Sequence, residues 1–403
     1  MDTVTEWFTE DEFTKFLEYK KSCNNISKND IADIEAYISD KTYITMGQLI
    51  SDRDFPKDIS QKSIISKEGS DKKRTIYRFD KDINITLKMI AYKLYKYDHL
   101  FSDNCYAFRR NYGVHDAMEK IRHDHSLKQK YCLKVDVKNY FNSIDVPILL
   151  NKLLPIKEDD PLLYQVFENI LTEPYTQYND ARIQEHRGAM AGIPISSFFA
   201  NIYLAEVDQY FFAHQVSYYR YSDDIILFAE TMEELLELQT DLYNKLHGLK
   251  LQINTQKEKI SAPGEVWEFL GFSYKQGEID LSDTTILKMK HKIKRKAKAL
   301  IRWQKKKALP AKMAAKGFIN TLNHKFYGRE RTNCDDVEFT WCRWFFPNLT
   351  THKGLAILDK YIQEYIRYTL TGRHYKGNYR ITYKTLKDLG YRNLVYEYYR
   401  QKK

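Results

Sequence analysis

Arg220-Tyr221-Ser222-Asp223-Asp224-Ile225-Ile226-Leu227-Phe228 sets two adjacent carboxylates between aromatic and apolar flanks. Tyr218 and Tyr219 before the acids, and Ile225 to Phe228 after them, favour strands, so the stretch reads as a hairpin with the acids at its bend. Two ionised carboxylates ~4 Å apart at an effective dielectric of ~20 repel by about 4 kcal/mol. A bound cation relieves that repulsion, and so does a solvated loop. The dipeptide alone does not choose between them.

A third acid upstream shifts the balance. In Tyr131-Cys132-Leu133-Lys134-Val135-Asp136-Val137 the period-two alternation puts Leu133, Val135 and Val137 on one face. Asp136 shares the other face with Cys132 and Lys134. A strand that ends in an acid, followed much later by a hairpin presenting two more, is how a two-metal phosphoryl-transfer site is assembled from distant segments. Mg²⁺ suits this donor set, because it binds carboxylates together with waters and substrate phosphates.

Further boxes accompany these two. Downstream of Asp136 run Val137-Lys138-Asn139-Tyr140-Phe141-Asn142-Ser143-Ile144-Asp145, then Gly192-Ile193-Pro194-Ile195-Ser196-Ser197 with Asn201-Ile202-Tyr203-Leu204. Asn254-Thr255-Gln256-Lys257 and Phe269-Leu270-Gly271-Phe272 follow the hairpin, while Lys72-Lys73-Arg74-Thr75-Ile76 and Tyr106-Ala107-Phe108-Arg109-Arg110 precede the strand. Over residues 60–275 these boxes resemble, in order, the two fingers motifs and motifs A to E of bacterial reverse transcriptases. Those enzymes occur in group II introns, retrons and phage defence.

The resemblance implies an α+β right-hand polymerase: fingers, a palm of antiparallel sheet plus helices, and a helical thumb. It divides the chain into an N-terminal helical extension (1–60), fingers (61–132 and 146–190), palm (133–145 and 191–282) and a basic helical thumb with C-terminal region (283–403). It makes Asp136, Asp223 and Asp224 the ligands of two Mg²⁺ ions that align a primer 3′-hydroxyl with an incoming α-phosphate. Such chemistry is mostly positioning and charge neutralisation. Phe141 matches the sugar gate, whose ring crowds a ribose 2′-hydroxyl and favours dNTPs. Lys67, Lys72 and Arg74 are the candidates for holding the triphosphate, Arg by its fork of donors and Lys as a point charge. Gly192 lets the template–nucleotide pair approach the backbone, and Pro194 suits the first turn of a helix from Ser196 to Tyr210. Lys257 is placed to protonate the leaving pyrophosphate, and Arg109 to contact nucleic acid.

Two positions depart from the family pattern. Ala191 stands where many relatives have Gln, and Ser197 where Pro is usual. The missing amide bears on how the pocket grips template or sugar, and leaves the acids untouched.

The formal charge of +10 is concentrated. Between Lys288 and Arg331 there are 16 Lys or Arg and a single acid, Glu330. A stripe of this kind is the footprint of a phosphate-backbone contact, and Lys288, Lys292, Arg295, Lys296 and Arg302 are its candidates. A solvated basic helix is the plainer alternative. Pro310 marks a break after it.

With 403 residues, 43% of them hydrophobic, the chain can build a sizeable core. No apolar run approaches membrane-spanning length, and Met1 to Glu6 do not read as a signal peptide. Cys23, Cys105, Cys132, Cys334 and Cys342 are scattered without a CxxC pair, which suits reduced thiols in the cytoplasm and argues against zinc. Within 1–60 the pattern predicts two short helices, one capped at Thr9 and one carrying Ile31, Ile34, Tyr37 and Ile38. Tyr391, Tyr396, Tyr398 and Tyr399 crowd the C-terminal end; aromatic packing is the plain reading, and priming of DNA synthesis by a tyrosine hydroxyl the sharper one.

The expected function is RNA-templated DNA synthesis with an RNA template, in particular a structured noncoding RNA, and a DNA product. No membrane partner is expected, and a homo-oligomer is left open. Stand-alone enzymes of unassigned bacterial groups, many of them acting in phage defence, are the branch most resembled. Two alternatives stand beside it: an RNA-templated RNA polymerase, which Phe141 and Tyr-X-Asp-Asp disfavour, and a non-catalytic RNA-binding scaffold, which the intact acids disfavour.

Overall fold

The computed structural model describes residues 3–23, 26–66, 73–328 and 340–402. Eleven strands run in chain order through them: β1 Gln61–Ser66, β2 Lys73–Arg78, β3 Tyr131–Asp136, β4 Tyr175–Tyr178, β5 Ala181–Gln184, β6 Ser217–Tyr221, β7 Asp224–Ala229, β8 Lys259–Ser261, β9 Trp267–Phe269, β10 Phe272–Lys275 and β11 Glu278–Leu281. They form three sheets, ordered β2-β1-β4-β5, β6-β7-β3-β8 and β11-β10-β9, and helices supply the rest of an α+β fold. Two units contain them: Met1–Ile121 with Gln129–Pro263, and Arg122–Lys128 with Gly264–Lys403.

In the first unit the β6-β7-β3-β8 sheet carries the site. Leu133 and Val135 of β3 and Ile225 to Ala229 of β7 are buried, as strands covered by helices require. The covering helices are Ser196–Ala213 and Met232–Gly248. The first of these is apolar nearly all round, and Phe198, Phe199, Ile202, Tyr203, Leu204, Val207 and Phe211 are all in the core. Its sequence therefore reads as an interior helix.

The N-terminal extension holds three α-helices where the sequence pattern predicts two: Glu10–Ser22, Lys28–Ser39 and Thr42–Ser51. Thr9 and Ser27 cap the first two by accepting from the amides of Glu12 and Asp30. The third begins after Lys41, which has a left-handed backbone (φ 53°) and gives no side-chain cap. A helix lacking the usual start signal escapes a reading that looks for one. Phe13 seats the extension on itself, its ring centroid 5.2 Å from Tyr37 and 5.6 Å from Tyr43. Tyr37 then bonds Thr86 on the Lys81–Lys93 helix, hydroxyl to hydroxyl at 2.8 Å.

In the second unit, Leu270 (φ 52°) and Gly271 (φ 90°) turn β9 back onto β10, a two-residue hairpin in which both turn residues take positive φ. The long basic helix Asp283–Lys306 follows, capped by the Ser282 hydroxyl, which accepts from Thr285 N–H. Ile286, Met289, Ile293, Ala297 and Ile301 make its buried stripe against the Ala311–Tyr327 and Lys353–Thr371 helices. Pro310 stands at the N-terminus of the next helix, where its missing N–H costs nothing. Among the described residues no helix is long and apolar enough to cross a membrane.

Candidate active site

The hairpin forms where the sequence puts it. β6 ends at Tyr221, β7 starts at Asp224, and Ser222 with Asp223 makes the two-residue connection. Ser222 takes φ 61°, one of the positive values such a tight connection demands, at a cost of about 1–2 kcal/mol for a residue other than Gly. β3 lies antiparallel beside β7 with Asp136 directly opposite Asp224. Facing residues of an antiparallel pair project to the same side, so the two carboxylates share one surface. The Val137 amide donates to the Asp223 carbonyl at 3.2 Å and locks the strand end to the turn.

On its other flank Asp136 meets the segment around Asn254. The Asn254 amide donates to the Asp136 carbonyl at 2.8 Å, and the Asn254 side chain donates to Oδ1 at 3.1 Å. Lys257 Nζ lies 2.5 Å from Oδ2. Lys134, two residues before Asp136 on the same face, reaches Asp224 at 3.7 Å. Burial pushes the Asp223 carboxyl above its usual range; the charges of Asp224 and Asp136 add to this, and Lys257 offsets part of it. Three acids repelling one another at one strand end, with lysines as the present counter-charges, are thus brought together as the sequence pattern implies.

The donor set fits an ion that needs few protein ligands. Among the described residues no three His, Cys, Asp or Glu side chains close into a ready cage, and both Asp136 oxygens are engaged by Lys257 and Asn254. Mg²⁺ takes one or two carboxylates and completes its shell with water and substrate phosphate, which Asp223, Asp224 and Asp136 are able to serve.

The segments expected to hold a nucleotide are tied to each other by hydrogen bonds from the Asn142 side chain and between backbones. Arg74 is exposed on β2, opposite Ile65 of β1. The Asn142 amide donates to the Thr75 carbonyl on β2 at 3.5 Å, and its oxygen accepts from Ala191 N–H at 3.3 Å. Tyr77 N–H returns to the Ala191 carbonyl at 2.8 Å. Phe141 is half-buried, in edge contact with Phe108 (6.2 Å between centroids) and Tyr140 (5.7 Å), and its carbonyl accepts from Ala189 N–H at 2.8 Å.

Several expected site residues sit differently. Gly192 (φ 109°) has its close approach to β2: a Cβ there would lie 2.8 Å from the Tyr77 carbonyl oxygen. Pro194 precedes the helix N-cap, Ile195, instead of entering the first turn. Arg109 does not face a nucleic acid. Its buried guanidinium forks onto Asp98 (3.0 and 2.9 Å), donates to the carbonyls of Ser102 and Cys105, and stacks on Tyr112, so its donors are used inside the fold. Lys67 and Lys72 lie outside the described residues, as does Cys334.

In the second unit Lys288, Arg295, Lys296 and Arg302 are on the exposed side of the basic helix and Lys292 is half-buried. Of the C-terminal tyrosines, Tyr391 and Tyr398 are buried and bonded to Asp359 and the Leu349 carbonyl, while Tyr396 and Tyr399 are exposed.

The profile of the reverse transcriptase (RNA-dependent DNA polymerase) family matches residues 65–274, just over half of the chain. The chain belongs to this family. It is thereby placed among RNA-directed DNA polymerases, a class of nucleotidyltransferases whose members generally use divalent metal ions. The matched span includes every box from Arg74 to the Phe269–Phe272 turn. No curated protein sequence matches the chain. Among solved structures, apo telomerase from Candida tropicalis, truncated from its C-terminal domain, is similar at 12% identity and a TM-score of 0.43, over 55% of this chain and 55% of that one. Telomerase from Candida albicans, in complex with the TWJ fragment of telomeric RNA, is similar at 12% identity and a TM-score of 0.46, over 82% of this chain. The chain spans 55% and 63% of the length of those two proteins.

Sequence reasoning gave no role to Lys134, Asn142 or Asn254. Lys134 was legible as a face-mate of Asp136, but a lysine two residues from an acid is ordinarily solvated. Asn142 had no signal, because its partners on β2 and in the Ala191 loop are distant in sequence.

Proposed function

We propose that this reverse transcriptase extends a primer 3′-hydroxyl with deoxynucleotides on an RNA template. The observation that carries the reading is the pairing of Asp136 with Asp224 across β3 and β7, with Asp223 on the adjoining turn. Two Mg²⁺ ions held by these acids would activate the hydroxyl and neutralise the phosphate charge.

The chain's own residues do the rest. The Val137 bond to the turn and the Asn254 bond to Asp136 fix where the acids point, so little reorganisation is left for the reaction itself. Arg74 offers a fork of donors to the triphosphate. The Phe141 ring, braced by Phe108 and Tyr140, excludes a 2′-hydroxyl. Lys257, beside Asp136, is positioned to give a proton to the leaving pyrophosphate. Lys288, Lys296 and Arg302 present charge to the template–primer backbone. A structured noncoding RNA as template and a part in phage defence follow from the resemblance to stand-alone bacterial enzymes; sequencing of co-purifying nucleic acid tests both.

Asp223→Ala with Asp224→Ala is expected to abolish primer extension while RNA binding persists. Incorporation that survives in this double variant, with contaminating polymerase excluded, refutes the assignment. A preference for ribonucleotides in the unsubstituted protein would favour the RNA polymerase alternative instead.

A further inference from the structure

Beneath the acidic turn lies a charged group that the reaction does not touch. Arg220, the residue before Tyr-X-Asp-Asp, is fully buried, and so is its partner Asp208. Arg220 Nε donates to Asp208 Oδ1 at 2.7 Å and Nη2 pairs with Oδ2. Nη1 donates to the Ser222 carbonyl at 3.2 Å and to Asn201 Oδ1 at 3.4 Å, and Nη2 to Cys105 Sγ at 3.0 Å. Tyr218 also donates to Asp208 Oδ1, at 2.9 Å. Asp208 and Asn201 lie seven residues apart on the Ser196–Ala213 helix, hence on one face two turns apart. Around Arg220 the backbone is held as well: its N–H donates to the Asn104 carbonyl and its carbonyl accepts from Tyr106 N–H, both at 2.9 Å.

We infer that the Arg220–Asp208 pair is a positioning device, which clamps the Ser222 carbonyl and so fixes the Asp223–Asp224 turn against the helix that follows Gly192. The inference rests on reading Asp136, Asp223 and Asp224 as metal-binding acids. A buried ion pair is a weak source of stability, since apolar side chains of similar volume often serve as well or better. What an apolar pair cannot do is hold a backbone carbonyl. Ser222 stands in a left-handed conformation that serine seldom adopts, next to two acids that repel. A turn under those two loads relaxes unless something fastens it, and the guanidinium is the side chain that reaches its carbonyl from below. The planar fork engages Asp208, Asn201 and Ser222 together; a lysine, with one nitrogen, does not.

The test is Mn²⁺ binding to the full-length protein, read by electron paramagnetic resonance without substrates, alongside steady-state primer extension. Asp223→Ala with Asp224→Ala serves as the metal-site control. Arg220→Met with Asp208→Leu removes both buried charges at once and is expected to keep cooperative thermal melting. In it Mn²⁺ affinity should fall about 10-fold or more and kcat about 10–100-fold, the size typical of groups that orient metal ligands, with KM for dNTP little changed. Should that variant fail to melt cooperatively, Arg220→Lys carries the same expectation, since it keeps the charge opposite Asp208 and gives up the reach to Ser222. Unaltered Mn²⁺ affinity and kcat in either folded variant overturns the inference, and so does Mn²⁺ binding indifferent to Asp223→Ala with Asp224→Ala. Wild-type protein that binds Mn²⁺ through these acids yet extends no primer refutes the proposed function alone, and the Mn²⁺ comparison between wild type and variant still decides the role of Arg220.

Discussion

Gly188→Ala reports on whether backbone packing behind Phe141 sets nucleotide choice. Gly188 stands at φ 55°, and a Cβ built there would lie 2.4 Å from the Phe141 carbonyl oxygen, 2.8 Å from Asn142 C and 2.9 Å from Asn142 Cα. Carbon–oxygen contacts ordinarily begin at about 3.3 Å, so something must move by nearly ~1 Å. All three neighbours are backbone, so none can swing aside. An alanine in the left-handed region costs about 1–2 kcal/mol, and overpacking a filled site adds about 1–3 kcal/mol. The expected decrease in folding stability is about 2–5 kcal/mol, read as a lower urea midpoint. Because the displaced atoms belong to Phe141 and Asn142, discrimination between dNTP and rNTP should fall too, although residue 188 need not touch the sugar. Phe141→Val, which trims the ring directly, should raise ribonucleotide incorporation with a smaller drop in stability. Gly248→Ala is the matched control: it ends the Met232–Gly248 helix with nothing within 4 Å of its Cβ, so the change should be neutral or mildly stabilising. Wild-type stability and selectivity in Gly188→Ala would refute the packing argument, whereas reduced stability with intact selectivity in both Gly188→Ala and Phe141→Val would remove the gate role.

Three further outcomes follow from the same geometry. The Asp223 carboxyl is raised by burial and by its acidic neighbours, so the folded state holds that proton more tightly than the unfolded chain and stability declines as pH rises through the folded pKa. Asp223→Asn should therefore raise the melting temperature near about pH 7, and the gain should vanish below the ordinary Asp range of ~3.9; a gain persisting in acid would point to another cause. Lys257 is 47% exposed, so Lys257→Met should cost at most about 1 kcal/mol of stability while lowering kcat, and undiminished kcat in denaturation-matched samples would remove it from the reaction. Replacing Lys288, Lys296 and Arg302 by Gln should flatten the dependence of log K on log salt by about 0.7–0.9 for each phosphate that is no longer neutralised; an unchanged slope means that this helix is not on the nucleic acid.

Much of the acidic site was legible because strands encode it in a simple period. Alternation along 131–137 set the face of Asp136, and adjacent acids between apolar runs marked the bend at Ser222 and Asp223. What stayed hidden is what depends on partners far away in sequence. Arg109 was expected to contact nucleic acid and Arg220 had no assigned role; Asp98 and Asp208 make both of them interior struts, and nothing local to either arginine announces that. Gly192 was legible as a place of close approach, yet its neighbour is β2. The helix Thr42–Ser51 was missed for want of a capping side chain. Chemistry carried by strand parity shows in a sequence, and chemistry carried by tertiary pairing does not.

The opposition of Asp136 and Asp224 also means that this protein stores its chemistry in its grease. Sliding β3 by one position along β7 would swing Asp136 to the far side of the sheet and bring Val135 or Val137 into its place. Leu133, Val135 and Ile225 prevent the slide by preferring the interior, so aliphatic carbons far from any substrate are guardians of the proposed reaction centre. Polar replacements there would silence the enzyme while leaving every acid in the sequence intact.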